Sequence, residues 1–231
     1  MMMVTVAGGL SVTKKFAWSF SKLKTFETCP KKFAAENITK TSPFTESEAS
    51  RYGKFVHKCF EDRILKKKKL PIDLLHHEPV MKKLENAKGD ILGEQRLALT
   101  KDLKPTGYFD SDVWVRGQVD FAAVSDTSMF VVDYKTGKMS EEMDQVELMM
   151  AMFICYYPEI ETGAGAFYWT KNKKFTNTGI HNREDIQAMW AGYLPRVARM
   201  YDAIDTGTFS PKQNYLCKNY CNCEECAYHG I

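Results

Sequence analysis

The spacing of apolar residues changes along the chain, and each change predicts a different element. In several stretches apolar positions recur every three or four residues, which places them on one face of a helix. These predicted helices cover residues 19–28, 31–37, 46–68, 78–87, 140–157 and 182–204. Alternating or continuous apolar runs predict strands over residues 91–100, 113–124, 129–135 and 165–171.

The order of these elements predicts an α/β fold. The turn at residues 125–128 joins the second and third strands into a hairpin, and the helix that follows crosses over to the next strand. We expect a mixed central sheet of four to five strands flanked by helices. The whole chain is predicted to be a single domain, with an N-terminal extension (1–18), a core (19–206) and a cysteine-rich tail (207–231).

Composition is that of an ordinary globular protein. With 231 residues, 44% of them hydrophobic, the chain can bury a substantial core. No apolar stretch approaches the roughly 20 residues that span a bilayer, so no membrane association is expected. The first residues lack the basic start and long apolar run of a secretory signal, which predicts a cytoplasmic protein.

Charge leaves the choice of partner open. The net charge is +3, from 32 Lys and Arg against 29 Asp and Glu, and this near balance neither requires nor excludes a polyanion. Basic residues gather within the first 40 residues, Lys14 and Lys15 among them, and again at Lys66–Lys69. Such groups can neutralise phosphates, although a solvated face is the more common explanation of such a run.

Two segments of the predicted hairpin carry charged residues among apolar ones. They are Gly117-Gln-Val-Asp120 and Val131-Val-Asp133-Tyr-Lys135. Because side chains alternate along a strand, Asp133 and Lys135 project from the same face, and the hairpin would bring Asp120 beside them. Asp-x-Lys is commonly a surface ion pair. These aspartates, however, lie in apolar runs, where an unpaired charge is unfavourable, and this favours a bound metal ion.

Paired carboxylates and a lysine are the groups that phosphodiester hydrolysis needs. Mg²⁺ and Mn²⁺ prefer carboxylate oxygens and keep several waters, so Asp120 and Asp133 could hold an ion that binds the scissile phosphate and activates water. Lys135 could orient the attacking water and stabilise the charge that grows in the transition state. These residues predict a metal-dependent phosphodiesterase site.

The same segments resemble a known family. The pair formed by Gly117-Gln-Val-Asp120 and Asp133-Tyr-Lys135-Thr-Gly137 is similar to motifs two and three of the PD-(D/E)xK nucleases, in their RecB-like, CRISPR-associated-exonuclease-like branch. Gly53-Lys-Phe-Val-His57 resembles the helix motif of that branch, and Ser19 to Pro30 resembles its N-terminal signature. The resemblance implies a restriction-endonuclease-like core and one nuclease domain over residues 1–231.

The resemblance also implies which groups hold the metal ion. The implied ligands are His57, Asp120, Asp133 and the backbone carbonyl of Tyr134. Glu94 resembles an acidic residue by which some members approach the metal or a second ion. Taken alone, His57 is an ordinary helix-face histidine and Glu94 is a surface strand glutamate, and both alternatives stay open.

A catalytic set follows from the same resemblance. Its members are Asp120, Asp133, Lys135 and Gln145. Gln145 matches the glutamine of the branch's fourth motif, which lies near the DNA. Met149 departs from that motif, because a tyrosine is usual four residues after the glutamine, and its hydroxyl would make a hydrogen bond that methionine does not make.

Four of the seven cysteines fall within the last fifteen residues. Clustered thiolates suit tetrahedral zinc or an iron–sulfur cluster, and spacing alone does not separate the two. The resemblance favours a [4Fe–4S] cluster on Cys29, Cys217, Cys221 and Cys226, with Cys223 spare. The alternatives are zinc on the four C-terminal cysteines, Cys223 included, and no metal at all.

We expect a stand-alone DNA nuclease, with Mg²⁺ or Mn²⁺ as its cofactor. The resemblance implies an exonuclease of recombination, replication or repair, of a phage-encoded kind in a host cytoplasm. Its partners would be single-stranded DNA or duplex ends, and a second copy of the chain or a recombination protein. The competing hypotheses are a catalytically inactive DNA-binding module with a structural metal clasp, and a zinc-ribbon protein, which would explain only the tail.

Overall fold

A computed structural model describes residues 5–6, 10–11, 16–42 and 46–231 of the chain. The chain forms two compact units, a terminal unit of Met1–Thr45 with Ala191–Ile231 and a central unit of Glu46–Trp190. Lys14 and Lys15, named above in the basic group, lie outside the described residues. That the two units act as a single nuclease domain stays a prediction.

A mixed five-stranded sheet forms the centre of the central unit, which confirms the predicted α/β fold class. Its strands are β3 (Asp90–Leu99), β4 (Val115–Val124), β5 (Ser128–Lys135), β6 (Thr162–Trp169) and β7 (Lys174–Asn182), in that spatial order. β4 and β5 form the predicted antiparallel hairpin, whereas β5 and β6 are parallel. A separate two-stranded ladder in the terminal unit joins β1 (Thr5–Val6) to β2 (Leu10–Ser11).

Eight α-helices are found among the described residues. They are α1 (Phe20–Thr28), α2 (Pro30–Asn37), α3 (Glu48–Lys66), α4 (Glu78–Glu85), α5 (Asp144–Tyr156), α6 (Arg183–Ala188), α7 (Trp190–Thr206) and α8 (Leu216–Asn219). A short 3-10 helix, Ile72–His77, precedes α4. Serine hydroxyls cap two of the helices, because Ser19 accepts from the amide of Lys22 and Ser47 from that of Ser50. Within the described part of the chain, no helix is both long and apolar enough to cross a membrane.

Three sequence predictions need correction. The single helix over 182–204 is wrong, because α6 ends at Ala188 and the chain restarts as α7 at Trp190, with Pro195 inside α7. The helix expected from Ser140 begins only at Asp144. β7 was not predicted at all, since it is a largely exposed edge strand whose polar residues carry no apolar alternation.

The sheet is covered on both faces, which fixes the surroundings of its charged residues. On one face, Val56 and Phe60 of α3 pack against Phe121 and Tyr134 of the hairpin, in a cluster with little or no exposure. Each such side chain contributes about 1.5–3 kcal/mol by leaving water. On the other face lies α5, which approaches β6 so closely at Gly165 that an added Cβ would overlap Val146.

A buried histidine sits at the edge of the first of these cores. The ring of His77 is 2% exposed, and its Nδ1 lies 2.7 Å from the hydroxyl of Tyr168. Burial lowers the pKa of His77 to about 4, and the positive charges of His76 and Lys173 add to the effect. The neutral imidazole is therefore the form that the folded protein holds at neutral pH.

This histidine predicts a loss of stability in mild acid. An unfolded histidine titrates near 6.5 and binds its proton before the folded one, so its contribution is complete above pH 6.5 and is lost as pH falls towards about 4. We expect the free energy of unfolding, measured with urea, to fall less steeply over that window in His77→Gln than in wild type. His181→Gln serves as the control and should follow wild type. Equal slopes for wild type and His77→Gln would show the prediction to be wrong.

Candidate metal centre

Two buried aspartates lie where the pairing between strands β4 and β5 ends. The last ladder pair joins Phe121 to Val132, and the next residues along each strand are Asp120 and Asp133, which are 7% and 4% exposed. The amide of Tyr134 donates to Asp120 Oδ2 at 2.7 Å, so a carboxylate occupies the place of a backbone acceptor. The hairpin thus brings the two predicted acids to one point, with their charges removed from bulk water.

His57 and Glu94 converge on Asp120. His57 Nδ1 lies 3.1 Å from Asp120 Oδ1, and one ligand atom from each of the three residues lies within 4.8 Å of the others. On α3, Val56 and Phe60 enter the core and leave the ring of His57 beside it, edge-on to the ring of Tyr134. Among the described residues, this is the only group of three or more His, Cys, Asp or Glu side chains that meets this distance.

Glu94 reaches the group through an unusual backbone. Its φ of 50° is left-handed, a conformation that costs a residue with a Cβ about 1–2 kcal/mol. The flanking pairs Gly93–Phe121 and Gln95–Val119 stay in register, so the distortion is confined to the residue opposite Asp120. Backbone strain of this kind persists only where surrounding structure enforces it. Its effect here is to aim a third carboxylate at the site.

Asp133 is held by a cation and an amide. Lys135 Nζ lies 2.6 Å from Asp133 Oδ2, and Gln145 donates to Asp133 Oδ1 at 2.8 Å while accepting from Lys135 at 2.7 Å. Asp133 Oδ2 is buried and receives this ion-pair contact without a well-aligned hydrogen bond. Gln145 reaches the strand because it lies in the first turn of α5, next to the close approach at Gly165.

The pKa values of Asp133, Glu94 and His57 are all raised. Burial raises the pKa of Asp133, and the charge of Asp120 raises it further against the opposing effect of Lys135. Burial and the charge of Asp120 likewise raise the pKa of Glu94. Burial lowers the pKa of His57, but the hydrogen bond and charge of Asp120 outweigh it, and the net shift is upward. Every shift favours an added positive charge, which a divalent cation supplies.

The donor set suits a hard metal ion. Carboxylate oxygens are the ligands that Mg²⁺ and Mn²⁺ prefer. Asp133 Oδ2 is buried without a hydrogen-bond partner, and Asp133 lies across the hairpin from Asp120, one residue beyond the last ladder pair. The residues present therefore fit a divalent ion at this point of the hairpin.

The predicted site residues fall into two groups in space. His57, Glu94 and Asp120 form one group, and Asp133, Lys135 and Gln145 form the other. Met149, which departs from the family motif, is 6% exposed, so its side chain belongs to the core.

Gln118 was missed by sequence reasoning. Its amide donates to Glu94 Oε2. Alternation could have found this residue, since it lies two positions before Asp120 and projects from the same face of β4.

Five cysteines line one pocket of the terminal unit. They are Cys29, Cys217, Cys221, Cys223 and Cys226. Cys29 accepts a hydrogen bond from the amide of Lys212 at 3.4 Å, and Asn214 donates to the backbone of Thr28 next to it, so the tail packs on the end of α1. Cys223, predicted to be spare, is as buried as Cys29 and Cys217. No three of these sulphurs lie within 4.8 Å of one another.

The sequence matches a family model over nearly its whole length. Residues 17–231 match the PD-(D/E)XK nuclease superfamily. The chain belongs to this superfamily. Membership agrees with the mixed sheet and the acidic site and supports a metal-dependent nuclease. No curated protein matches the chain.

Two solved structures resemble this PD-(D/E)XK chain. A putative exonuclease from Eubacterium rectale has 13% sequence identity and a TM-score of 0.51, over 88% of this chain and 86% of its own. The protein SSO0001 has 14% identity and a TM-score of 0.47, over 94% of this chain and 89% of its own. At 13% identity, the likeness to the Eubacterium protein bears on the fold alone.

The strain at Glu94 of this PD-(D/E)XK site gives a testable prediction. Glycine adopts φ 50° freely whereas alanine does not, so Glu94→Gly should be more stable than Glu94→Ala by about 0.5–1 kcal/mol in urea unfolding without metal. At Gln95, an ordinary strand position, the order should reverse, and Gln95→Ala should be the more stable of the matched pair. If the free energy of unfolding of Glu94→Ala equals or exceeds that of Glu94→Gly, the backbone at Glu94 is not strained.

Proposed function

We propose that the chain is a Mg²⁺- or Mn²⁺-dependent deoxyribonuclease. The observation that carries this proposal is the convergence of His57, Glu94 and Asp120 on one point, beside the Asp133–Lys135–Gln145 network. Superfamily membership supports the same chemistry. A DNA strand is the natural polyanionic substrate for a site that holds a cation next to a lysine.

The proposed metal ligands are His57, Asp120, Asp133 and the carbonyl of Tyr134, with Glu94 as a further one. Bound there, the ion would polarise the phosphate and lower the pKa of a coordinated water. The chain contributes orientation. Tyr134 donates its amide to one oxygen of Asp120 and leaves the other facing His57, so Asp120 presents a fixed edge to the site.

Lys135 and Gln145 are the proposed catalytic partners. The ammonium group of Lys135 is held between Asp133 and Gln145 and over the ring of Phe167, with the centroid 5.0 Å away. A positive charge fixed in a partly dry site stabilises the negative charge that grows on the phosphate without reorganising during the reaction. Gln145 keeps both neighbours in place, and the third N–H of the Lys135 ammonium group would orient the attacking water.

Finer features of the function are proposed from the RecB-like motifs. They are exonuclease action on single strands or duplex ends, a role in recombination, replication or repair, and a cytoplasmic, phage-related setting. The name of the Eubacterium rectale structure agrees with an exonuclease. A second copy of the chain or a recombination protein is the proposed partner.

Metal binding and catalysis should separate in two variants. Asp120→Asn should weaken Mn²⁺ binding in calorimetric titration and abolish cleavage, because it removes the carboxylate charge on which His57 and Glu94 converge. Lys135→Ala should still bind Mn²⁺ but cut labelled DNA on the order of 10²–10³ times more slowly, as expected for loss of one transition-state charge partner. Lys138→Ala, an exposed lysine three residues on, should cut as wild type does.

The competing hypothesis is an inactive DNA-binding module. It would be favoured if wild type bound single-stranded or duplex DNA but never shortened it with either ion. Cleavage by wild type that persists unchanged in Lys135→Ala would instead point to a contaminating nuclease and leave the proposal without support.

For the cysteine pocket we propose a [4Fe–4S] cluster on Cys29, Cys217, Cys221 and Cys226. Tetrahedral zinc with bonds of ~2.3 Å requires sulphurs about 3.8 Å apart, closer than any three in this pocket. A four-iron cluster spaces its thiolates more widely, because each binds a different iron. The amide donors to Cys29 and Cys217 suit ligating sulphurs, whose potential they would tune. Zinc remains the alternative, with Cys223 among its ligands.

Spectroscopy distinguishes the two metals. Anaerobically purified protein should absorb near 400 nm through sulphur–iron charge transfer, with about four irons per chain. Cys29→Ser should lose that absorbance, whereas Cys223→Ser and the helical control Cys59→Ser should keep it. Colourless protein with one zinc per chain would contradict the cluster. Loss of the absorbance in Cys223→Ser would show that Cys223 is a ligand in place of Cys221 or Cys226.

A further inference from the structure

Two arginines on β3 and β4 and two aromatic rings in the loop between these strands lie together on one surface. The guanidinium groups of Arg96 and Arg116 lie 5.5 and 5.4 Å from the ring centroid of Tyr108. Arg116 also donates to the carbonyl of Tyr108 at 2.7 Å. Phe109 packs edge-on against Tyr108 and is 80% exposed. We call these four residues the hairpin surface, after the antiparallel pair β3–β4 and its connecting loop, which carry them.

The two arginines lack carboxylate partners. Neither forms an ion pair with any residue that the structure describes, although they flank the same ring. Asp110 and Asp112 of the loop contact other groups, since each has a carboxylate oxygen within 3.1 Å of the hydroxyl of Thr106. Two neighbouring cations without a counter-charge repel each other and favour an anion between or above them. Guanidinium groups pair especially well with phosphate oxygens.

The basic run Lys66–Lys69, at the end of α3, provides a contrast. Lys66 and Lys68 lie 2.8 and 2.7 Å from the carboxylate of Asp62, and Lys67 pairs with Glu85. Three of the four lysines of this run therefore already contact a carboxylate within the fold, whereas Arg96 and Arg116 do not. The predicted phosphate-binding run at Lys66–Lys69 is therefore the weaker candidate of the two, and the hairpin surface is the stronger.

The hairpin surface is continuous with the candidate metal centre. Arg96 stands directly opposite Gln118 in the β3–β4 ladder, and Gln118 donates to Glu94. Arg116, Gln118 and Asp120 occupy every second position of β4, so their side chains project from one face of the sheet. Four residues of strand place Arg116 roughly 14 Å from Asp120, within reach of nucleotides that adjoin a bond held at the metal.

We propose that the hairpin surface binds unpaired DNA nucleotides next to the scissile bond. Arg96 and Arg116 take the phosphates, and Phe109 stacks on a base. The exposed ring can stack only where the base is not enclosed in a duplex, so the surface selects single-stranded DNA or frayed ends. This inference rests on the proposed nuclease function and adds the strand preference and the residues that produce it.

Equilibrium binding without cleavage tests the surface. Fluorescence anisotropy of labelled oligothymidylate in EDTA should show Phe109→Ala binding at least about fivefold more weakly, with an unchanged salt dependence. Arg96→Gln and Arg116→Gln should each reduce the slope of log K against log salt by about 0.7, one single-strand phosphate contact. All three side chains are partly or fully exposed, and none holds the core.

Matched controls and a second readout fix the interpretation. Ile180→Ala, which removes an equally exposed apolar side chain from β7, and Lys83→Gln, which removes an exposed charge from α4, should bind as wild type does. Cleavage assays with Mg²⁺ should show Phe109→Ala slowed on single strands and unchanged on blunt duplex.

Two negative outcomes are distinguishable. If wild type degrades DNA while the Phe109 and arginine variants bind single strands as tightly as wild type, the hairpin surface is not the binding site and the nuclease function stands. If wild type neither binds nor degrades DNA under any of these conditions, the nuclease proposal fails and this inference fails with it.

Discussion

The buried carboxylate of Asp120, with Glu94 on one side and Asp133 on the other, is the constraint around which the central unit is arranged. Asp120 repels both Glu94 and Asp133 where water screens the charges poorly. The fold tolerates the contact through His57, the amide of Tyr134 and the Lys135–Gln145 pair. Such compensation is partial, since the pKa values of Asp133 and Glu94 both remain raised. A site left short of positive charge is one prepared for a cation.

The scaffold explains how so unfavourable a group persists. The sheet around the site is anchored on both faces, by α3 at Phe60 and at Gly93 of β3, and by α5 at Gly117 of β4 and Gly165 of β6. That anchoring lets the chain sustain a left-handed backbone at Glu94, which a free strand would relax. The packing of the core thus compensates for the unfavourable backbone conformation and the buried charges at the site.

Much of this arrangement could be predicted from local pattern. Alternation alone placed Asp133 and Lys135 on one face, and the short turn after β4 brought Asp120 to them. The position of Glu94 could not be predicted with the same security, because it depends on a backbone distortion that no residue type announces. The edge strand β7 and the break before α7 escaped for a related reason. An exposed edge needs no apolar alternation, and propensity does not locate a one-residue break such as Met189 inside a continuous helical pattern.

The account stands on a cation at the meeting point of His57, Glu94 and Asp120. Anomalous diffraction from crystals soaked in Mn²⁺ measures this most directly. We predict a manganese peak within bonding distance of Asp120 and His57, on the side that faces Asp133. A well-ordered site with no anomalous peak at saturating Mn²⁺, or a peak bound only by other residues, would contradict it.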